Sequence, residues 1–119
     1  AKAGRLSTSP ALQVTAAFHA IWPMLRPRPA WRGATRVLAK ELGPHGIRVN
    51  AVAPTVTNTE LAKNSWADPV RRDPMLARHP GGRFAEVEEV ASAIAMLLSD
   101  DAGMISGAVV PVDGAFLAV

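Results

Sequence analysis

The sequence predicts an α/β fold with a parallel sheet covered on both faces, in the order helix, strand, lid loop, helix, strand. Apolar residues recur at helical spacing in two segments, 34–42 and 87–98, which indicates helices with one buried face. Each helix precedes a run of strand-forming residues, 47–53 and 108–112. The first run shows little polar alternation toward its end, which is typical of parallel strands buried on both sides.

Residues that stop regular structure bound the first helix and strand. Gly43 and Pro44 follow the helix, and we expect Gly43 to adopt a left-handed cap because Pro44 cannot continue the helix. Pro54 follows the apolar strand residues and is expected to end that strand.

Residues 55–83 form the predicted lid. This segment is polar, contains three prolines and ends in two glycines. We expect a short helix within 67–78 and loop elsewhere, since long loops in compact domains usually cover or bind a ligand.

The second helix is the clearest element of the sequence. Glutamates crowd its first turn, at positions 86, 88 and 89, where their negative charges interact favourably with the helix dipole. The segment from Ser99 to Asp101 should close it. The apolar tail 115–119 is expected to be buried, either in the sheet or against another subunit.

Composition excludes several classes of protein. The chain has no Cys, so disulfides and thiolate metal sites are impossible. No apolar run reaches the length of a membrane span, and no signal peptide is recognisable, so we expect a cytoplasmic protein without a membrane partner. The three histidines, at positions 19, 45 and 79, lack acidic partners and metal-ligand spacing. We therefore predict solvated or packing roles for them and no metal site.

The first 33 residues differ from the rest. They carry five basic residues and no acidic one, whereas the whole chain has a net charge of +3. Pro23, Pro27 and Pro29 argue against a regular helix, so we expect residues 1–33 to be irregular or loosely packed. One interpretation is a basic, Pro-rich arm that binds nucleic acid or serves as a peptide ligand for a recognition module. The alternative is that the segment has a different origin from the rest.

Residues 34–119 resemble the C-terminal part of the short-chain dehydrogenase/reductase family. Four blocks carry the resemblance through their order and spacing: AKEL at 39–42, GIRVNAVAP at 46–54, GRF with EEV at 82–84 and 88–90, and SG with VDG at 106–107 and 112–114. The resemblance implies a doubly wound Rossmann sheet that binds NAD or NADP beyond the strand ends. It further implies hydride transfer to or from an alcohol or carbonyl substrate chosen by the lid. The intact protein would be a homodimer or homotetramer without a nucleic-acid partner.

The resemblance places the nicotinamide contact at Pro54, Thr57 and Thr59. Thr55 stands where the family usually has Gly, whereas Thr59 matches a Thr whose hydroxyl lies near the carboxamide or phosphate. Thr57 would offer backbone groups to the carboxamide. The alternative for Thr59 is a hydroxyl that only caps the loop. For Pro54, as for Arg83 and Asp113, turn formation and packing are favoured over chemistry.

The family's catalytic residues are absent from this sequence. Its chemistry uses a Tyr as general acid/base, a Lys four residues later and an upstream Ser, yet the chain has no Tyr. It also lacks a G-x-G-x-x-G phosphate turn. No catalytic residue is therefore assigned, and the chain as written is expected to be inactive and to bind NAD or NADP weakly or not at all. The alternative is a non-catalytic fragment that associates through 87–98 and 115–119.

A shifted reading frame would explain why residues 1–33 replace the family's Ser and Tyr segments; the alternative is that they are a divergent N-terminal segment. If each original codon is the last base of one codon plus the first two of the next, codons 5–14 permit IVNISSVAG. Codons 22–33 likewise permit AYATSKAGLEG, which joins directly to Ala34. We therefore divide the chain into a non-family segment, 1–33, and a family segment, 34–119.

Overall fold

A three-stranded parallel sheet organises the fold. The computed structural model of the protein describes residues 13–17 and 29–118. Its strands are β1 (Gln13–Ala17), β2 (Arg48–Pro54) and β3 (Val109–Val112), and its helices are α1 (Pro29–Leu42), α2 (Glu60–Ser65), α3 (Pro69–Ala77) and α4 (Val87–Leu98). Short 3₁₀ turns follow α1, α4 and β3, at Gly43–His45, Asp100–Ala102 and Phe116–Ala118.

Strand β2 lies between the other two strands. Its residues Arg48 to Val52 pair in parallel with β1, and Ala51 to Pro54 pair with β3. The side chains of Ala51 and Val52 are completely buried, as expected for a strand covered on both faces. The predicted α/β class and parallel sheet are confirmed, and both predicted strands occur within one residue of their predicted bounds.

The expectation that residues 1–33 are irregular is wrong for two stretches. Gln13–Ala17 forms a strand, which is possible because this stretch contains no proline and keeps its N–H donors. Helix α1 begins at Pro29 rather than at residue 34. Proline is well suited to the first helical position, where its missing N–H has no partner to lose. The other prolines on which the expectation relied, Pro23 and Pro27, lie outside the described residues.

The left-handed cap after the first helix is Gly46, not Gly43. Gly43–His45 continues the chain as a 3₁₀ turn, and Gly46 adopts a φ of 74°. The Gly46 N–H donates to the Gly43 carbonyl oxygen at 2.9 Å. Pro44 is accommodated because it sits in the first turn, where no N–H is needed, so the chain reverses three residues later than predicted.

About half of the lid is helical. The helix expected within 67–78 is confirmed as α3, but the expectation of loop elsewhere is wrong for α2. Each of these helices starts at a side-chain cap: Thr59 Oγ1 accepts from the Ala62 N–H at 3.1 Å, and Asp68 Oδ1 accepts from the Val70 N–H at 3.0 Å. Six residues are too few to show helical periodicity, so α2 depends on its cap.

Helix α4 has the bounds predicted from its apolar spacing, and Ser99 ends it as expected. Glu86 and Glu89 form a reciprocal capping box at its start, and Leu97 is completely buried. Other apolar side chains of this helix are exposed by 41–46%: Val87, Met96 and Leu98. No helix in the described ranges is long and apolar enough to cross a membrane.

Two polar side chains of β2 tie α4 and the following turn to the sheet. The buried Arg48 guanidinium donates to the carbonyl oxygens of Leu97 at 2.8 Å, Ser99 at 3.2 Å and Ile105 at 2.9 Å. Asn50 Nδ2 donates to the same Ile105 oxygen at 2.9 Å, and its Oδ1 accepts from the Ala108 N–H at 3.1 Å. The backbone polar groups of the connection from α4 to β3 therefore find hydrogen-bond partners in side chains of the sheet.

We expect Arg48→Met to lower the free energy of unfolding by about 3 kcal/mol, because buried carbonyl oxygens lose their charged donor. The matched control is Arg36→Met, at an exposed position of α1, which should change stability by less than about 0.5 kcal/mol. Urea unfolding followed by circular dichroism measures both. Equal midpoints for the two variants would contradict this role of Arg48.

Candidate functional site

The carboxyl ends of β2 and β3 meet at one edge of the sheet. Pro54 lies opposite Val112 in register, and the next residue, Thr55, donates its N–H to the Val112 carbonyl oxygen at 3.3 Å. Ligands of open parallel sheets bind beyond this edge. The loop 55–59 that leaves β2 is therefore the candidate site.

An isolated bridge between Thr57 and Ala85 holds this loop. The Asn58 N–H donates to the Ala85 carbonyl oxygen at 2.8 Å, and the Ala85 N–H donates to that of Val56 at 3.0 Å. The bridge thus leaves the backbone groups of Thr57 facing away from Ala85. The Thr57 carbonyl accepts from the Thr59 N–H at 2.7 Å, whereas the Thr57 N–H has no hydrogen-bond partner within 13–17 and 29–118.

The side chains of Thr57 and Thr59 differ in what they leave available. Thr57 is 6% exposed, and its hydroxyl donates to the Thr55 carbonyl oxygen at 3.0 Å. Thr59 is exposed, and its hydroxyl oxygen accepts from the Ala62 N–H. That contact is the loop cap anticipated as the alternative for Thr59. It uses only the oxygen, so the Thr59 hydroxyl hydrogen can still donate to a ligand.

These groups fit one end of a nicotinamide cofactor. A carboxamide or phosphate oxygen requires N–H or O–H donors, and the loop offers two, the Thr57 N–H and the Thr59 hydroxyl, two residues apart in sequence. Pro54 is buried at the strand end and offers no N–H, so it contributes shape. The printed sequence holds no G-x-G-x-x-G turn for the cofactor's pyrophosphate.

A hydrophobic cluster lies between the lid and the tail. Its buried members are Val56, Met75, Phe84 and Phe116, and Trp66, Leu76 and Leu117 pack against them. Of the tail residues, Phe116 is buried and Leu117 is half-buried against this cluster, not in the sheet, whereas Ala115 and Ala118 are exposed, so the expectation of a buried tail is wrong for those two. His79 is 3% exposed, with ring centroids 5.4 Å from Phe84 and 4.8 Å from Phe116, so its predicted packing role is confirmed. His45 lies exposed in its 3₁₀ turn, and His19 lies outside the described residues.

Two glycines allow the lid to approach the end of β3. The Gly81 N–H donates to the Gly114 carbonyl oxygen at 3.0 Å. A Cβ on Gly81 would lie 3.3 Å from both the α-carbon and the carbonyl oxygen of Gly114, whose φ is 54°. Side chains larger than hydrogen would therefore separate the two segments.

Asp113 has the turn-forming role predicted for it. Its carboxylate oxygens accept from the N–H groups of Ala115 and Leu117, each at 3.1 Å, and so cap the terminal 3₁₀ turn. Among the described residues, no cluster of three or more His, Asp or Glu side chains is arranged to hold a metal ion.

Arg83 joins the lid to α4 through an exposed ion pair. Its guanidinium nitrogens donate to the Glu89 carboxylate oxygens at 2.6 and 2.8 Å, and the Glu86 N–H donates to the same carboxylate at 3.0 Å. The hydrogen bond from Arg83, followed by that from Glu86, lowers the pKa of Glu89 from its usual 4.5 to about 2. This ion pair confirms the inter-element packing role predicted for Arg83.

Comparison with known proteins gives relatives along most of the chain. A family model described as enoyl-(acyl carrier protein) reductase matches residues 6–116. L-xylulose reductase from Bos taurus is 57% identical over 84 residues, which are 71% of this chain and 34% of the bovine protein. The chain thus spans about a third of the length of that relative.

Two solved structures share the fold. One, described as a candidate NAD(P)-dependent gluconate 5-dehydrogenase from Beutenbergia cavernae with NADP bound at low occupancy, is 31% identical with a TM-score of 0.77. The match covers 90% of this chain and 46% of the chain in that structure. The other, an oxidoreductase of the short-chain dehydrogenase/reductase family from Burkholderia thailandensis, is 34% identical with a TM-score of 0.67 and covers 76% and 35%.

The lowered pKa of Glu89 predicts a specific acid sensitivity. A carboxylate whose folded pKa lies below its unfolded value stabilises the fold above the unfolded pKa, and this contribution is lost as the pH falls toward the folded pKa. The window here is about pH 4.5 to 2. Glu89→Gln should therefore lose less stability than the parent across this window, as measured by thermal unfolding at a series of pH values.

Glu88→Gln is the control, because Glu88 lies in the same helical turn and is not part of the Arg83 network. It should follow the parent's pH dependence. If Glu89→Gln also followed it, the ion pair would not contribute to stability.

Proposed function

The chain belongs to the short-chain dehydrogenase/reductase family, and we propose that loop 55–59 contacts the nicotinamide end of NAD or NADP in an oxidoreductase. The observation that carries this proposal is the Thr57 N–H, which lacks a hydrogen-bond partner within the described ranges although its residue is 6% exposed. A buried donor without a partner costs free energy that a ligand acceptor can offset. This donor follows the sheet edge where cofactors of such folds bind.

In this proposal the Thr57 N–H donates to the carboxamide oxygen, and the Thr59 hydroxyl donates to the carboxamide or to a phosphate oxygen. Pro54 fixes the direction in which the loop leaves β2. The bound nicotinamide would supply or accept the hydride exchanged with an alcohol or carbonyl substrate. The solved relative with bound NADP supports this choice of cofactor and does not distinguish NAD from NADP.

We propose a polyhydroxylated alcohol or carbonyl compound as the substrate class. The support comes from the names of the relatives, which are an L-xylulose reductase and a candidate gluconate 5-dehydrogenase. The lid helices α2 and α3 would provide the contacts that select the substrate. The complete enzyme would be a cytoplasmic homodimer or homotetramer.

This chain by itself should have no turnover. It contains no Tyr, so the acid/base residue of the family is absent from the sequence. We propose that residues 1–33 are the out-of-frame product of codons for the family's Ser and Tyr segments. The support for this proposal is that the sequence keeps the four family blocks from Ala39 onward and yet contains no Tyr.

A non-catalytic fragment that associates with other chains is the second candidate. The observation that favours it is that α4 leaves the apolar side chains of Val87, Met96 and Leu98 exposed by 41–46%, where they are available for contacts with another protein. Concentration-dependent sedimentation that is abolished by Met96→Lys, without any effect of NADP, would support this function.

The cofactor proposal predicts weak binding localised to the loop. Titration with NADP⁺ should shift the amide resonances of Thr57 and Thr59 with an affinity weaker than micromolar, because no pyrophosphate turn is present in the sequence. Thr59→Asp keeps an oxygen that can cap α2 but removes the hydroxyl donor and adds a negative charge. It should abolish the shifts, whereas Thr59→Ser should retain them. Shifts that persist in Thr59→Asp would contradict a donor role for Thr59.

The frame proposal predicts the nucleotide sequence of codons 5–33. Read one base out of phase, it should encode the Ser block and Tyr-x-x-x-Lys without a stop codon. The decisive position is the junction of Pro23 and Met24, which permits Tyr, His, Asn or Asp. Any residue but Tyr there, or a stop codon within the segment, would refute the frame proposal.

A further inference from the structure

We propose that Thr55 and His79 form a positioning pair that fixes the lid to loop 55–59 and thereby orients the Thr57 N–H. This inference rests on the proposed function for its purpose, while the pairing itself rests on geometry. Thr55 Oγ1 lies 2.7 Å from His79 Nε2, and both residues are 3% exposed. The contact joins positions 24 residues apart in the sequence.

The partners of the imidazole define its protonation pattern. His79 Nδ1 lies 2.9 Å from the Met75 carbonyl oxygen, which can only accept, so Nδ1 carries the hydrogen. In the neutral ring Nε2 is then an acceptor, and the Thr55 hydroxyl donates to it. Both ring nitrogens are satisfied, as a buried imidazole requires.

The pair extends into a continuous series of hydrogen bonds. It begins at Met75 in α3, passes through the His79 ring to Thr55, and continues from the Thr55 carbonyl oxygen to the Thr57 hydroxyl. The last turn of the lid helix is thereby connected to the residue that presents the unpaired N–H. A shift of α3 would therefore be transmitted to Thr57.

The residue at position 55 is decisive for this arrangement. The family usually has Gly here, and Gly would leave His79 Nε2 buried without a donor. Among the described residues other than glycine only Ala115 has a positive φ, so Thr55 adopts a backbone conformation that needs no glycine. The presence of threonine at this position is therefore explained by its side chain, which bonds to His79 of the lid.

The aromatic rings on either side of His79 restrict how it can move. Phe84 meets it edge-on at an interplanar angle of 77°, and Phe116 packs at 46°. Phe84 directly precedes Ala85, the bridge partner of Thr57. The ring is thus held by the same segment that pairs with the loop, which favours a fixed orientation over simple space filling.

Amide hydrogen exchange tests the pair in the full 119-residue chain. Thr55→Val keeps the side-chain shape and removes the hydroxyl. It should speed exchange of the Asn58 and Ala85 amides, which form the loop bridge, by roughly fivefold, the effect of one lost hydrogen bond on local opening. Thr55→Ser should restore the parent rates. The Ala51 amide, which bonds within the sheet to Ala108, should be unchanged in both variants.

His79→Phe is the matched partner variant, since it keeps an aromatic ring between Phe84 and Phe116. The double variant with Thr55→Val should exchange no faster than His79→Phe alone, because both changes remove the same bond. Additive effects, or equal acceleration of the Ala51 amide, would overturn the proposal and leave His79 as packing only.

The imidazole nitrogen shifts of the unmodified chain provide a test that needs no variant. They should report hydrogen on Nδ1, and hydrogen on Nε2 alone would overturn the pair. A chain in which NADP⁺ shifts no loop resonance, yet Thr55→Val still accelerates only the bridge amides, would refute the proposed function and retain the Thr55–His79 pair.

Discussion

The structure depends on the central strand β2, which pairs along both edges and is buried on both faces. β2 pairs with β1 on one side and β3 on the other, and its polar residues Arg48 and Asn50 are buried along with its apolar ones. A buried guanidinium is tolerated only where acceptors surround it. The carbonyl oxygens at the end of α4 provide these acceptors, so the same contacts that satisfy Arg48 also fix α4 and the path into β3.

Elements whose own residues determine them could be predicted from the sequence. Helix α4 has a continuous apolar face and a capping box, and its predicted and observed bounds agree. Helix α2 has only six residues and depends on a cap, so no periodic pattern could reveal it. Strand β1 could not be predicted from composition, because the prolines elsewhere in the first 33 residues disfavour regular structure, whereas Gln13–Ala17 contains none.

The position of the candidate site could be predicted from the sequence, but the side-chain hydrogen bonds that hold it could not. The end of a parallel strand at Pro54 locates the loop, and the structure places Thr57 and Thr59 directly beyond it. The roles of Thr55 and His79 depend on a contact across 24 residues. The only sequence signal was a threonine at a position where glycine is usual, and this signal gave no indication of the partner. Tertiary packing alone identifies it.

The loop geometry is independent of the residues that family catalysis requires. Its hydrogen bonds connect 55–59 with 62, 63, 79, 85, 86 and 112, and none of those between described residues reaches 13–17 or 29–33. A polypeptide can therefore keep the hydrogen-bonded loop at this edge of the sheet while its sequence lacks a Tyr. This separation is physically reasonable, because cofactor contacts arise from backbone geometry at strand ends, whereas proton transfer needs one specific side chain. Loss of the latter changes activity without disturbing the hydrogen bonds that shape the former.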